Sequence, residues 1–170
     1  MPKSDRLLGA WRELGVAWLA VLALTATLPA SAEARIVIGD RIGDVSLGDS
    51  SSAVRAKLGK PARVQTYPGG SSIFYARNAP VYWITLTSAN RVRGIETRST
   101  RQKTSRGIGP GSSLSALRAA YPRAVCKDGF VAERTCELRS TIQSRSVLTQ
   151  FVFFGGRVTI VDIGQIGEFG

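Results

Sequence analysis

The chain of 170 residues contains no histidine and only two cysteines. Without histidine, Ser-His and Cys-His nucleophile systems and metal sites built on imidazole are excluded. Acidic residues are also scarce: 12 Asp and Glu stand against 23 Lys and Arg, which gives a net charge of +11. Catalysis by paired carboxylates needs two acids that flank a cleft, and few acids are available. We therefore expect a protein that is not an enzyme and that has no cofactor and no bound metal.

An apolar run lies near the N-terminus, from Leu14 to Leu28. It is shorter than the ~20 residues that span a hydrocarbon core. Basic residues precede it and the small residues at positions 30–32 follow it, which is the order of a signal peptide. We expect cleavage after Ala32, so that residues 1–32 are removed and the protein is exported to the periplasm or the extracellular medium. If the segment is not cleaved, it would tether the protein to a membrane.

The two cysteines, Cys126 and Cys136, are close together in the sequence. In an oxidising compartment such a pair is expected to form a disulfide, because a metal site would need histidine or further cysteine ligands. A disulfide that closes a short loop contributes about 2 to 3 kcal/mol of stability. We expect this bond to stabilise the protein and to take no part in chemistry.

Two segments of the chain match each other, residues 45–56 and residues 108–119. The residues of the first segment that recur unchanged in the second are Gly48, Ser50, Ser52, Ala53, Arg55 and Ala56. Such self-similarity is typical of a protein built from repeated units.

A short helix is predicted in each segment by signals for its start, its buried face and its end. In the first segment these are Asp49 or Ser50, then Val54 with Leu58, then Gly59 with Pro61. In the second they are Ser112 or Ser113, then Leu114, Leu117 and Tyr121, then Pro122. Helices of about two turns are not stable alone in water, so each must pack on another element.

After each predicted helix come β-rich runs separated by turn-forming clusters. Gly155-Gly156, for example, separates two such runs and predicts a hairpin. We expect an α+β fold of two tandem repeats, each a short helix followed by a three- or four-stranded antiparallel meander. The first repeat would occupy residues 33–100 and the second residues 101–170, in one compact domain. The half-sheets could form one continuous sheet or two packed sheets.

Residues 48–61 resemble the Gly-x-(Ser/Thr)-x-x-x-Val-x-x-x-Leu-Gly-x-Pro signature of the BamE/SmpA-type outer-membrane lipoproteins. They are also similar to the repeat unit of the secreted beta-lactamase inhibitor proteins (the BLIP-like fold). The resemblance implies structural roles, as turn, cap, core face or helix stop, for Gly48, Ser50, Val54, Leu58, Gly59 and Pro61, and for Gly111, Ser113 and Leu117 in the second copy. It also implies a non-catalytic protein that binds another protein, although this chain has no lipid-attachment cysteine.

Two further patterns have both a functional and a structural interpretation. Residues 107–111 are rich in glycine and follow Arg106, as in a phosphate-binding loop, but their spacing fits neither the dinucleotide fingerprint nor the P-loop. Asp40, Asp44 and Asp49 are spaced as possible calcium ligands, but no EF-hand loop is present. We expect turn and cap roles in both places.

The aromatic residues Tyr82 and Trp83 are adjacent in a predicted strand, so their side chains point to opposite sides. At least one of them should therefore be exposed. Exposed aromatic and arginine side chains supply most of the binding energy at protein interfaces. We expect the protein to engage an unknown protein partner in the envelope or the medium through a sheet face, with Tyr82 or Trp83 and nearby Arg91 and Arg93.

The segment of residues 91–106 is strongly basic and contains a single acid, Glu96. Its cations are Arg91, Arg93, Arg98, Arg101, Lys103 and Arg106. It predicts either a solvated linker or a patch for an acidic partner, so the alternative function is electrostatic binding of anionic cell-envelope polymer or lipid. Nucleic acid is not an expected partner, because no stacking motif is interleaved with the arginines and the protein is exported.

Overall fold

The computed structural model describes residues 36–76, 81–129, 132–142 and 144–165. These residues belong to one compact unit, Ala32–Gly170. The predicted signal peptide, residues 1–32, lies outside the described residues. Within the described ranges, no helix is long and apolar enough to cross a membrane.

The chain contains eleven strands and two short helices in the described residues. Three short strands come first: β1 (Ile36–Val37), β2 (Arg41–Ile42) and β3 (Val45–Ser46). They are followed by α1 (Ser51–Leu58), β4 (Arg63–Tyr67), β5 (Gly70–Tyr75), β6 (Tyr82–Thr87) and β7 (Val92–Thr97). The last elements are α2 (Leu114–Ala120), β8 (Val125–Asp128), β9 (Arg134–Ile142), β10 (Arg145–Phe154) and β11 (Arg157–Gln165).

The strands form two sheets. β1, β2 and β3 make a three-stranded sheet, and the other strands make an eight-stranded antiparallel sheet in the order β4-β5-β6-β7-β11-β10-β9-β8. In the middle of the large sheet β7 pairs with β11, in a register that runs from Thr97 opposite Val161 to Gly94 opposite Gly164. The strands after α1 and the strands after α2 are therefore parts of one continuous sheet.

The predicted fold class is wrong. The fold is rich in strands, and two tandem helix-plus-meander repeats are not its architecture. The reason is that β7 pairs with β11 and that the strands after α1 and the strands after α2 share one hydrophobic core. No boundary therefore separates a first repeat from a second. In addition, residues 36–46 form a separate three-stranded sheet, which the match between residues 45–56 and 108–119 gave no reason to expect.

Both helices begin at a serine. The Ser50 hydroxyl accepts a hydrogen bond from the Ala53 backbone N–H at 3.1 Å, and the Ser113 hydroxyl accepts one from Ala116 at 3.2 Å. Each bond satisfies a backbone donor that the first turn of a helix leaves free. One residue of each helix, Val54 in α1 and Leu117 in α2, is fully buried. The short helices are thus anchored by caps and by contact with the core.

The end of α1 and the turns before both helices are at glycines. The backbone N–H of Gly59, which has a φ of +79°, donates to the Arg55 carbonyl, and Pro61 follows. Gly48 and Gly111, with φ of +86° and +92°, precede the two helices. Leu58 at the end of α1 packs against the core as a partly buried residue.

The hydrophobic core lies on one face of the eight-stranded sheet. Buried side chains of both helices and of the three-stranded sheet pack there against alternate residues of the large sheet. Tyr82 is fully buried in this core, and its hydroxyl accepts a hydrogen bond from Nε2 of the buried Gln102 at 3.0 Å. Gly43 lies directly against it: a Cβ atom there would be 2.1 Å from the Tyr82 hydroxyl oxygen, and its φ is +60°. This contact requires glycine.

The predicted disulfide is confirmed. Cys126 in β8 and Cys136 in β9 lie directly opposite each other and are bonded, with an S–S distance of 2.03 Å. The bond joins the edge strand β8 to the rest of the sheet, and it agrees with an exported protein.

Candidate functional site

The second face of the eight-stranded sheet, called the outer face below, is the candidate binding surface. The apolar residues of α1, α2 and the three-stranded sheet all pack into the core on the opposite face. Within the described part of the chain, these elements leave the outer face open. Because side chains alternate along each strand, the pairing register shows which residues share this face.

One line of residues crosses the outer face from strand to strand, and we call it the central row. From β5 to β8 it consists of Phe74, Trp83, Glu96, Asp162, Gln150, Glu137 and Val125. It is aromatic at one end and acidic or polar in the middle.

The aromatic end is formed by Phe74 and Trp83. Their ring centroids are 5.7 Å apart at an interplanar angle of 56°. The Trp83 side chain is 41% exposed, whereas Tyr82 is only 1% exposed and points into the core. Tyr82 therefore cannot contact a partner on this face, and its assignment to a partner-binding site is corrected. The Trp83 side chain is the accessible member of the pair.

Arg91 and Arg93, the other candidate binding residues, have different positions. Arg91 is exposed directly before β7 and donates from its guanidinium to the carbonyl of Gly48, 3.5 Å away. Arg93 is the extra residue in a bulge of β7. Its Nη2 donates to the Tyr67 hydroxyl at 3.5 Å, on the same face as Trp83. Arg93 thus belongs to the outer face, and Arg91 fixes the turn before α1.

Two carboxylates face each other in the middle of the central row. Glu96 in β7 is directly opposite Asp162 in β11. The pKa of Asp162 is raised to about 7, first by burial and then by the charge of Glu96, while a hydrogen bond from the Ile163 backbone opposes the shift. Glu96 also accepts from Arg98 Nε at 3.0 Å.

The third acid of the row is Glu137 in β9. Its carboxylate accepts a hydrogen bond from Gln150 Nε2 at 3.1 Å. Gln150 is neutral, so this bond orients the carboxylate without compensating its charge. The middle of the outer face therefore carries acids from three strands of a strongly basic protein.

The basic segment of residues 91–106 does not form one continuous patch. Lys103 donates to the Pro110 carbonyl, and burial lowers its pKa. Arg106 donates to the Ala120 carbonyl and lies over the Tyr121 ring, 5.1 Å from its centroid. Several of the cations are therefore bound to backbone or ring partners of their own.

The glycine-rich loop at residues 107–111 is tightly packed. Ile108 is buried, and a Cβ atom at Gly109 would be 2.1 Å from the Gln102 carbonyl oxygen. Of the spaced aspartates, Asp49 accepts from the Ser46 backbone at 2.9 Å and pairs with Lys57 at 2.8 Å. Among the described residues, no cluster of three or more His, Cys, Asp or Glu could hold a metal ion.

Sequence reasoning missed Phe74, Asp162 and Glu137 as residues of the candidate surface. A signal for Asp162 was present, since it is the one acid in the apolar run of residues 158–163. Its position beside Glu96 follows only from the pairing of β7 with β11.

Comparison with known proteins gives a fold likeness and no family. No protein-family model and no curated protein sequence matches the chain. A DUF4309 family protein from Bacillus subtilis superposes with a TM-score of 0.52 and 14% identity over 75% of this chain and 88% of that one. An extracellular SCP-domain protein from Bacillus anthracis gives a TM-score of 0.49 and 13% identity. A cysteine-rich secretory protein from Staphylococcus aureus gives 0.49 and 8%.

The last two likenesses cover 71% of this chain, which spans only 44% of each of those proteins. At 14% identity the likeness to the DUF4309 family protein shows the fold alone. The chain is therefore similar in fold to a DUF4309 family protein.

Proposed function

We propose that this chain is an exported, non-catalytic binding protein that engages a protein partner through the outer face of its eight-stranded sheet. The observation that carries the proposal is the exposed Trp83, which packs on Phe74 on an open face of the sheet. Large aromatic side chains leave much apolar area in water when they are exposed, and at interfaces they supply most of the binding energy.

The sheet makes this surface rigid before a partner binds. Trp83 lies in β6, which is hydrogen-bonded to β5 on one side and to β7 on the other. A side chain held on such a scaffold loses little conformational freedom on binding, which favours affinity. Cleavage after Ala32 is part of the proposal, because it would release the protein into the compartment in which the disulfide forms.

The test compares the recovery of partners by matched variants. Wild type, Trp83→Ala and Val64→Ala are each used to capture proteins from the native envelope and medium. Val64 is the control, because it is apolar and 47% exposed but lies on edge strand β4 in register with the buried Ile73. We expect one protein whose recovery falls about tenfold or more with Trp83→Ala and is unchanged with Val64→Ala.

Equal recovery of every captured protein by all three variants would contradict the proposal.

The net charge of +11 favours the alternative, an anionic envelope polymer or lipid. That alternative predicts binding that weakens steeply between low and high salt, because exposed charges are screened beyond roughly 10 Å at 0.1 M salt. Binding that weakens with Trp83→Ala and changes little with salt would support a protein partner over an anionic polymer or lipid.

A further inference from the structure

The outer face carries a row of acidic residues, although the chain as a whole is strongly basic. Glu96, Asp162 and Glu137 lie in one row, whereas acids elsewhere, such as Asp49 and Asp128, are paired with Lys57 and Arg134 in ordinary surface salt bridges. Like charges directly opposite each other on neighbouring strands are destabilising. The pair of Glu96 and Asp162 therefore does not stabilise the sheet, and its position needs another reason.

The charge of this row is only weakly compensated within the protein. Arg98 binds Glu96, but its side chain is 61% exposed, and exposed ion pairs contribute little. In the described ranges, neither Asp162 nor Glu137 forms a salt bridge. Among the other cations that the register places on this face, Arg63 of β4 lies opposite Phe74 at the far aromatic end of the row. Arg93, Arg139 and Lys127 lie at flanking positions outside the row.

The shape of the surface suits a long side chain. In the next register row Gly94 and Gly164, both buried, face each other, so neither β7 nor β11 contributes a side chain directly beside the two carboxylates at that position. On the other side of Glu96 is Trp83, directly opposite it in β6. Carboxylates form strong charge-assisted hydrogen bonds with guanidinium and ammonium groups, and an indole face attracts the same cations.

We infer that the partner presents a cationic segment, with arginine or lysine side chains that bind between Trp83 and the Glu96–Asp162 pair and extend toward Glu137. Glu137 is two strands, or about 10 Å, from Asp162, so successive cations of one segment can reach both positions. This inference depends on the proposed function, because it specifies the chemistry of the partner for the same face.

The test uses the full exported chain and an acetylated, amidated hexa-arginine peptide as the probe. Binding is followed by tryptophan fluorescence. Trp11 and Trp18 lie in residues 1–32, which cleavage removes, so Trp83 supplies the signal of the exported chain and Trp83→Phe is the blank. A hexa-glutamate peptide is the opposite-charge probe. Without residues 1–32 the exported chain keeps 20 Lys and Arg against 10 Asp and Glu, a net charge of +10, so non-specific attraction would favour hexa-glutamate.

Binding is measured at pH 8.5, where Asp162 is ionised, so that the matched variants each remove two negative charges in different places. Glu96→Gln/Asp162→Asn removes them from the central row, and Asp44→Asn/Asp128→Asn removes them from exposed positions elsewhere. We expect hexa-arginine to bind the wild type, to bind the first variant about tenfold or more weakly, and to bind the control variant within about twofold of wild type.

Three results would overturn the inference: no binding of hexa-arginine, equal weakening in both variants, or preferential binding of hexa-glutamate. These results are distinct from failure of the proposed function. If a partner is captured in a manner that depends on Trp83 while hexa-arginine does not bind, the outer face is still the interface and the partner's contact segment is not cationic.

Discussion

Replacement of Asp162 by asparagine should stabilise the protein at alkaline pH. The carboxyl group is partly buried in β11 opposite Glu96, and its pKa is raised from 3.8 to about 7, first by burial and then by the Glu96 charge. In the unfolded chain the pKa returns to its ordinary value. Between these two values the unfolded state releases a proton that the folded state retains.

The sign of the effect follows from this difference in bound protons. At a pH well below 3.8 the group is protonated in both states and has no effect on stability. As the pH rises toward 7, the unfolded state ionises first and the free energy of unfolding falls. The difference between a pKa of 3.8 in the unfolded state and about 7 in the folded state corresponds to about 4 kcal/mol in total, of which about 3 kcal/mol is lost between pH 5 and pH 8.5.

Urea unfolding of wild type and Asp162→Asn at pH 5 and pH 8.5 measures this contribution. The free energy of unfolding of the wild type should fall by about 3 kcal/mol more than that of the variant over this interval. Asp128→Asn is the control, because Asp128 is an exposed acid in a surface salt bridge, and its profile should be parallel to wild type. Parallel profiles for wild type and Asp162→Asn would refute the reasoning.

Two further predictions concern stability. Gly43→Ala should lower the free energy of unfolding by about 2 kcal/mol or more, because its Cβ would clash with the Tyr82 hydroxyl at a positive φ; urea unfolding checks this, and an unchanged midpoint would contradict the packing described for Tyr82. Replacement of both cysteines, Cys126→Ser with Cys136→Ser, should lower it by about 2 to 3 kcal/mol. Wild type under reducing conditions should match this double variant, and a difference between them would show that the serines act by other means.

The features that the sequence predicts correctly are local. Serine before a helix, glycine with positive φ at its end and Gly155-Gly156 between two strands each act within a few residues, so a short window contains the whole cause. The disulfide is similar, since the two cysteines lie on adjacent strands joined by one short connection.

The features that the sequence did not predict depend on pairing between strands that are far apart in the sequence. Adjacent Tyr82 and Trp83 must point to opposite sides, but which one is buried depends on the face of β6 that meets the helices. The pairing of β7 with β11 brings Glu96 beside Asp162 and makes one sheet from two halves. Nothing near either acid in the sequence specifies that contact, so the acidic middle of the outer face was not predictable from a local pattern.

The central claim is that a protein partner binds the outer face at Trp83. The most direct measurement is the dissociation constant of the captured partner for wild type, Trp83→Ala and Val64→Ala, at one salt concentration. We predict that Trp83→Ala weakens binding by about tenfold or more and that Val64→Ala leaves it within about twofold. Equal dissociation constants for all three proteins would contradict the claim.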